Sequence, residues 1–109
     1  MIAAERTLQI RTQNGDISVP VHIEVPVLDR TAWTCRFTIG WPEGEARGYA
    51  TAFDAVQALQ FAMQRIAMLL YISPHHQSRA LYFDVPGEGY GFPLPTDSRN
   101  LAIGDDKTL

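Results

Sequence analysis

The stretch Asp54–Tyr71, DAVQALQFAMQRIAMLLY, carries only two charges, Asp54 and Arg65. Its reading decides the fold: membrane span, buried core helix, or helix with two apolar faces. A span needs about 20 predominantly apolar residues, and Gln57, Gln60, Gln64 and Arg65 interrupt this shorter run. A core helix fits better. Asp54 with Gln57 makes a D-x-x-Q capping pattern, in which each side chain satisfies a backbone N–H left free at a helix start. Thr51 with Asp54 offers a competing start three residues earlier. Ser73-Pro74 ends the helix, because the residue before a proline avoids the α region.

At 100° per residue, Val56, Leu59, Met63, Ile66 and Leu70 fall on one side, flanked by Ala55, Ala62 and Ala67. That side is predicted to face a sheet. The other side holds Asp54, Gln57, Gln60, Gln64 and Arg65, but also Phe61, Met68 and Tyr71. A solvated helix face ordinarily carries pairs of Glu and Lys. Two coverings suit this one. The C-terminal segment LYFDVPGEGYGFP has aromatics enough to fold over it. Alternatively, Gln57, Phe61, Gln64, Met68 and Tyr71 form a surface for self-association or a partner, with the glutamines as a hydrogen-bonding seam and the large apolar groups as anchors.

The rest of the chain alternates with period two, the pattern of half-buried strands. RTLQIR places Leu8 and Ile10 on one face, and ISVPVHIEVPV places Ile17, Val19, Val21, Ile23, Val25 and Val27 on one face. Asn14-Gly15 between them signals a hairpin. Pairing Leu8 with Val21 and Ile10 with Val19 keeps the apolar side chains together. Pro20 has no N–H to give a partner, which favours a four-residue loop, Gln13 to Asp16, that turns Pro20 and Pro26 away from the first strand. The second strand should then lie at a sheet edge or pair only briefly on its outer side. After the connector LDRTA, WTCRFTI is the third strand, with Trp33, Cys35, Phe37 and Ile39 inward. ARGYATA is the fourth, and its Ala46, Gly48, Ala50 and Ala52 would let a helix approach closely. ALYFDV is the fifth, with Leu81, Phe83 and Val85 on one face. PGEGYGFPLP cannot be helical.

The expected architecture is α+β: an antiparallel sheet of four to five strands with one long helix packed on one face, in the order β-β-β-β-α-β. Residues 1–95 form one domain and residues 96–109 a polar C-terminal tail. The 109 residues are 46% apolar, enough for a core. A net charge of −3 with Lys107 as the only lysine lacks the basic footprint of nucleic-acid binding. A single cysteine, Cys35, rules out an intrachain disulfide framework. The N-terminus meets Glu5 and Arg6 before any apolar run of signal length, so the expected location is cytoplasmic, with no membrane association.

Three short features are shared with one group of proteins: W-x-C-x-F-x-I (Trp33, Cys35, Phe37, Ile39), D-x-x-Q-A-L (Asp54, Gln57, Ala58, Leu59) and G-F-P (Gly91, Phe92, Pro93). With the AER that precedes the first strand, they resemble a family of small, uncharacterised bacterial proteins over roughly residues 3–95. The motifs are mostly structural. The resemblance implies no activity, cofactor or site residue. Ala52 stands where such proteins often carry glycine before the helix.

No catalytic arrangement emerges. His22, His75 and His76 lack the Asp, Glu or Cys spacing of a metal site. GEGYG (Gly87–Gly91) resembles a phosphate loop, but a helix N-terminus should follow one, and Phe92-Pro93-Leu94-Pro95 does not supply it. Positive φ at a turn is the plainer reason for those glycines. Cys35 lies on the apolar side of its strand and reads as a core thiol. No cofactor is expected. The leading expectation is a non-enzymatic interaction or regulatory module, homodimeric or bound to another protein. The alternative is a small-ligand binder or enzyme with a pocket between the helix and residues 87–95, where Tyr82, Tyr90 and a buried charge would converge.

Overall fold

A computed structural model describes residues 1–109. The apolar alternation yields an antiparallel sheet: β1 (Ile2–Thr12), β2 (Gly15–Glu24), β3 (Val27–Asp29), β4 (Ala32–Trp41), β5 (Gly44–Ala52) and the short β6 (Leu81–Tyr82). The long helix α1 (Ala55–Ile72) and the one-turn α2 (Pro74–Gln77) lie between β5 and β6. The fold is α+β, with six strands. β2 and β3 lie along the same side of β4, interrupted at Val25-Pro26, so the sheet runs β5, β4, β2/β3, β1, β6.

The first hairpin corrects the expected register. Leu8 faces Val19 and Ile10 faces Ile17, and Thr12 faces Gly15 across a two-residue loop, Gln13-Asn14. The pairs slide by two residues, which preserves the apolar face. Thr12 secures the turn: its hydroxyl donates to the Gly15 carbonyl and accepts from the Asn14 N–H. In a two-residue hairpin the first pair is hydrogen-bonded. Thr7–Pro20 therefore falls at a position that needs no N–H from Pro20. Pro20 points its missing donor toward β4, and pairing on that side covers only Val21, His22 and Ile23.

α1 begins at Asp54, whose carboxylate accepts from the Gln57 N–H at 2.8 Å, while the Gln57 side chain accepts from the Phe53 N–H at 3.3 Å. It ends at Ser73, which closes α1 through Leu70 and caps α2 by accepting from the His76 N–H. The helix packs on β4 and β5. The floor there is shallow because β5 offers Ala46, Gly48, Ala50 and Ala52. The face that meets it is built on Ala58, Ala62, Ile66 and Leu70, all fully buried. Val56, expected inward, is 68% exposed, and Leu59 and Met63 are half-buried. Ala67, expected on the flank of that side, is core, and so is Ala58, which was not expected there.

One helix leaves the β1–β2 half of the sheet uncovered, and the segment after β6 covers it. The expected fifth strand stops at Tyr82, since Asp84 adopts φ +59°. The chain then returns over the inner face, burying Tyr90, Phe92 and Leu94, and Phe92 lines a small cavity with Val21, Ile23 and Met63. Arg6, an inward position of β1, donates to the Tyr90 and Gly91 carbonyls, both at 3.0 Å. Its guanidinium lies 4.7 Å from the Phe83 ring centroid and 5.1 Å from that of Phe92, a cation–π sandwich. Residues 96–109, expected as a polar tail, form two 3-10 turns, Thr96–Leu101 and Gly104–Thr108, and bury Ala102 and Asp106.

Candidate functional site

Beside the outer edge of β5 runs a groove of about 550 Å³. Its floor is Phe37, Gly48 and Ala50, and α1 supplies Phe61, Gln64, Arg65 and Met68 as its wall. Phe37 lies directly over Gly48: a Cβ there would come within 2.4 Å of the ring. Three of the five residues expected at an interface, Phe61, Gln64 and Met68, thus come together. Phe61 is 38% exposed, and Gln64 and Met68 are half-buried.

The other two lie elsewhere. Gln57 is engaged in the helix cap. Tyr71 is 3% exposed. Its hydroxyl donates to Asp106 at 2.6 Å and accepts from the Ile103 N–H at 3.2 Å. The C-terminal segment therefore covers the end of the helix face and leaves its middle open.

β5 pairs with β4 alone. Trp41 and Gly44 flank a two-residue turn, so the even-numbered residues of β5 bond β4. The backbone N–H and C=O groups of Glu45, Arg47, Tyr49 and Thr51 point away from the sheet. An exposed edge beside an apolar groove is a template for another strand.

A second constellation sits under the 87–91 loop. Gly87, Gly89 and Gly91 all have positive φ. The loop's successive amides form an anion-binding nest, and its occupant is the chain's own Asp106. The Tyr90 and Gly91 N–H groups donate to this carboxylate at 2.8 Å each. A Cβ at Gly89 would collide with the carboxylate at 2.5 Å, and one at Gly91 with the Arg6 guanidinium at 2.1 Å. Tyr90 and a buried charge do converge here, as a ligand pocket would require. The space between them, however, is filled: Tyr71 and Tyr90 pack edge-on with centroids 5.2 Å apart. Burial foremost, then Asp106, by its hydrogen bond to Tyr71 and its charge beside Tyr90, raise both phenols above the ordinary tyrosine range. Tyr82 is apart, donating to Asp16.

The histidines do not converge. His75 stacks on Trp41 and bonds Glu43 at 3.0 Å, His22 pairs with Glu5 at 3.1 Å, and His76 bonds the Tyr90 hydroxyl through Nδ1. Cys35 is fully buried and donates to the Glu24 carbonyl, and burial raises its thiol pKa.

A family described as a domain of unknown function, DUF6968, matches residues 4–94, most of the sheet, the helix and the returning segment. The chain belongs to the DUF6968 family. Comparison with curated proteins and with solved structures returned no match. The family span includes the β5 groove and the nest of residues 87–91 but stops short of Asp106.

Sequence reading missed the Asp106 contact, because an aspartate in a polar tail carries no sign of burial. The three alternate glycines were the available signal. They mark a loop held at positive φ, whose Tyr90 and Gly91 amides turn to one acceptor.

Proposed function

We propose that this DUF6968 protein is a non-enzymatic interaction module that works as a homodimer, joined edge to edge through β5. The observation that carries this reading is the open β5 edge beside the groove walled by Phe61, Gln64 and Met68. An isologous pairing about Gly48 matches the sequence to itself. Arg47 then faces the partner's Tyr49, a cation–π pair made twice, and Glu45 faces the partner's Thr51. Both helices lie on the same side of the continuous sheet, and the two Phe61–Met68 ridges face each other across the two-fold axis. A free, buried thiol suits a reducing cytoplasm.

Light scattering at high micromolar concentration tests it. The native chain is expected at twice its formula mass, and Phe61→Glu at the monomer mass. Tyr49→Pro removes an outward N–H that no intramolecular bond uses, so the fold should survive, by circular dichroism, while the dimer is lost. A native chain that is monomeric under these conditions sinks the reading.

A further inference from the structure

At the opposite edge of the sheet a cleft of about 650 Å³ opens between the end of β1, α2 and the 86–90 loop. The backbone brings two arginines to its rim. Arg11 N–H donates to the Ala80 carbonyl at 2.9 Å, which sets Arg11 beside the chain segment that carries Arg79. Neither guanidinium has a carboxylate within ion-pair distance. Arg11 lies over the Tyr82 ring, and the nearby Asp16 is engaged by the Tyr82 hydroxyl. His76 and Tyr90 also line the cleft, and no Asp or Glu does, in a protein of net charge −3. His76 uses Nδ1 for Tyr90 and leaves Nε2 without a protein partner. Leu81 and Ile103 supply an apolar wall.

Arg79 adds a second observation. It sits just past α2 with φ +62°, where the Ala80 N–H reaches back to the His75 carbonyl. This is the left-handed position at which a helix end favours glycine or asparagine. A bulky residue there is strained, and strain of that kind points to a function for the side chain.

We propose that this cleft binds a small organic anion, with its carboxylate or phosphate head between Arg11 and Arg79 and its apolar body against Leu81 and Ile103. Two unpaired guanidiniums provide forked, charge-assisted donors suited to either head group. The site is independent of the β5 edge, so dimer and monomer alike should bind.

Amide chemical-shift titrations with benzoate and with phenyl phosphate test this, with sodium chloride at matched ionic strength as the control. Saturable shifts are expected at Arg11, Gln77, Arg79 and Gly87 with at least one probe, and not with chloride. The probe that saturates first identifies the head group. Arg11→Gln and Arg79→Gln should each weaken binding about tenfold, the loss of one charge-assisted contact. Arg79→Gly separates binding from folding: it should lose the same affinity while its melting temperature does not fall. Absence of saturation with both probes overturns the proposal, as does affinity unchanged in Arg11→Gln and Arg79→Gln.

Discussion

Asp106 is 4% exposed, and its carboxylate is held by one hydroxyl and two backbone amides. Removing an acceptor from buried donors costs more than making the bonds gains, because each donor is left without water. Asp106→Ala should therefore lower unfolding free energy by about 2–4 kcal/mol, read by urea denaturation. The neighbours of Asp106 set a pH window. Tyr71 and Tyr90 titrate near 10.0 when unfolded and higher when folded. Between those values only the unfolded chain releases their protons, so stability is whole below pH 10 and falls above it. His76 is shifted the other way, lowered by burial from 6.5. Its contribution is present above pH 6.5 and is lost as pH falls through the folded value. Thermal melts across pH should show a plateau between these limits. Tyr90→Phe should flatten the alkaline limb and His76→Gln the acid limb.

At the scale of elements, the close approach of α1 to β5 depends on what the strand lacks. Gly48→Ala would drive a methyl into the Phe37 ring and force the ring to move, at about 1–3 kcal/mol despite the gain in strand propensity. Matched urea curves for Gly48→Ala and for the exposed Thr51→Ala check this. The same shallow floor explains where sequence reading of the helix went astray. Its existence, its start at Asp54 and its end at Ser73 were legible, because capping and proline effects are local. Its orientation was not. A helical wheel weights residues by size and apolarity, and so turned Val56 inward. A floor of alanine and glycine selects a face with alanines at its centre, Ala58 and Ala62, and leaves Val56 exposed. The hairpin shows a similar limit. The donor missing at Pro20 does constrain the pairing, but two registers satisfy it, and Thr12 with Gly15 selects the one that forms.

At the scale of the molecule, the C-terminal segment takes the place of a second helix. It was legible as an aromatic covering, and it does bury Tyr71 and the β1–β2 face, while the β5 groove remains open. A chain shortened to residues 1–95 lacks Asp106 and should unfold at markedly lower urea than the full chain. Its amides at Tyr90 and Gly91 should lose their protection from hydrogen exchange. Near-native protection in the shortened chain would show that the 3-10 turns are dispensable.

The contact from Arg6 to Tyr90 and Gly91 spans 84 and 85 positions of sequence. Each hairpin can form from neighbouring residues, but the inner face of β1 stays wet until the far end of the chain arrives. Closing so long a loop is slow, because chain entropy is lost before any contact rewards it. Until then Leu8, Ile10, Val19 and Val21, all buried in the finished fold, stay exposed to water, so the drying of this half of the sheet waits on the two ends of the chain meeting.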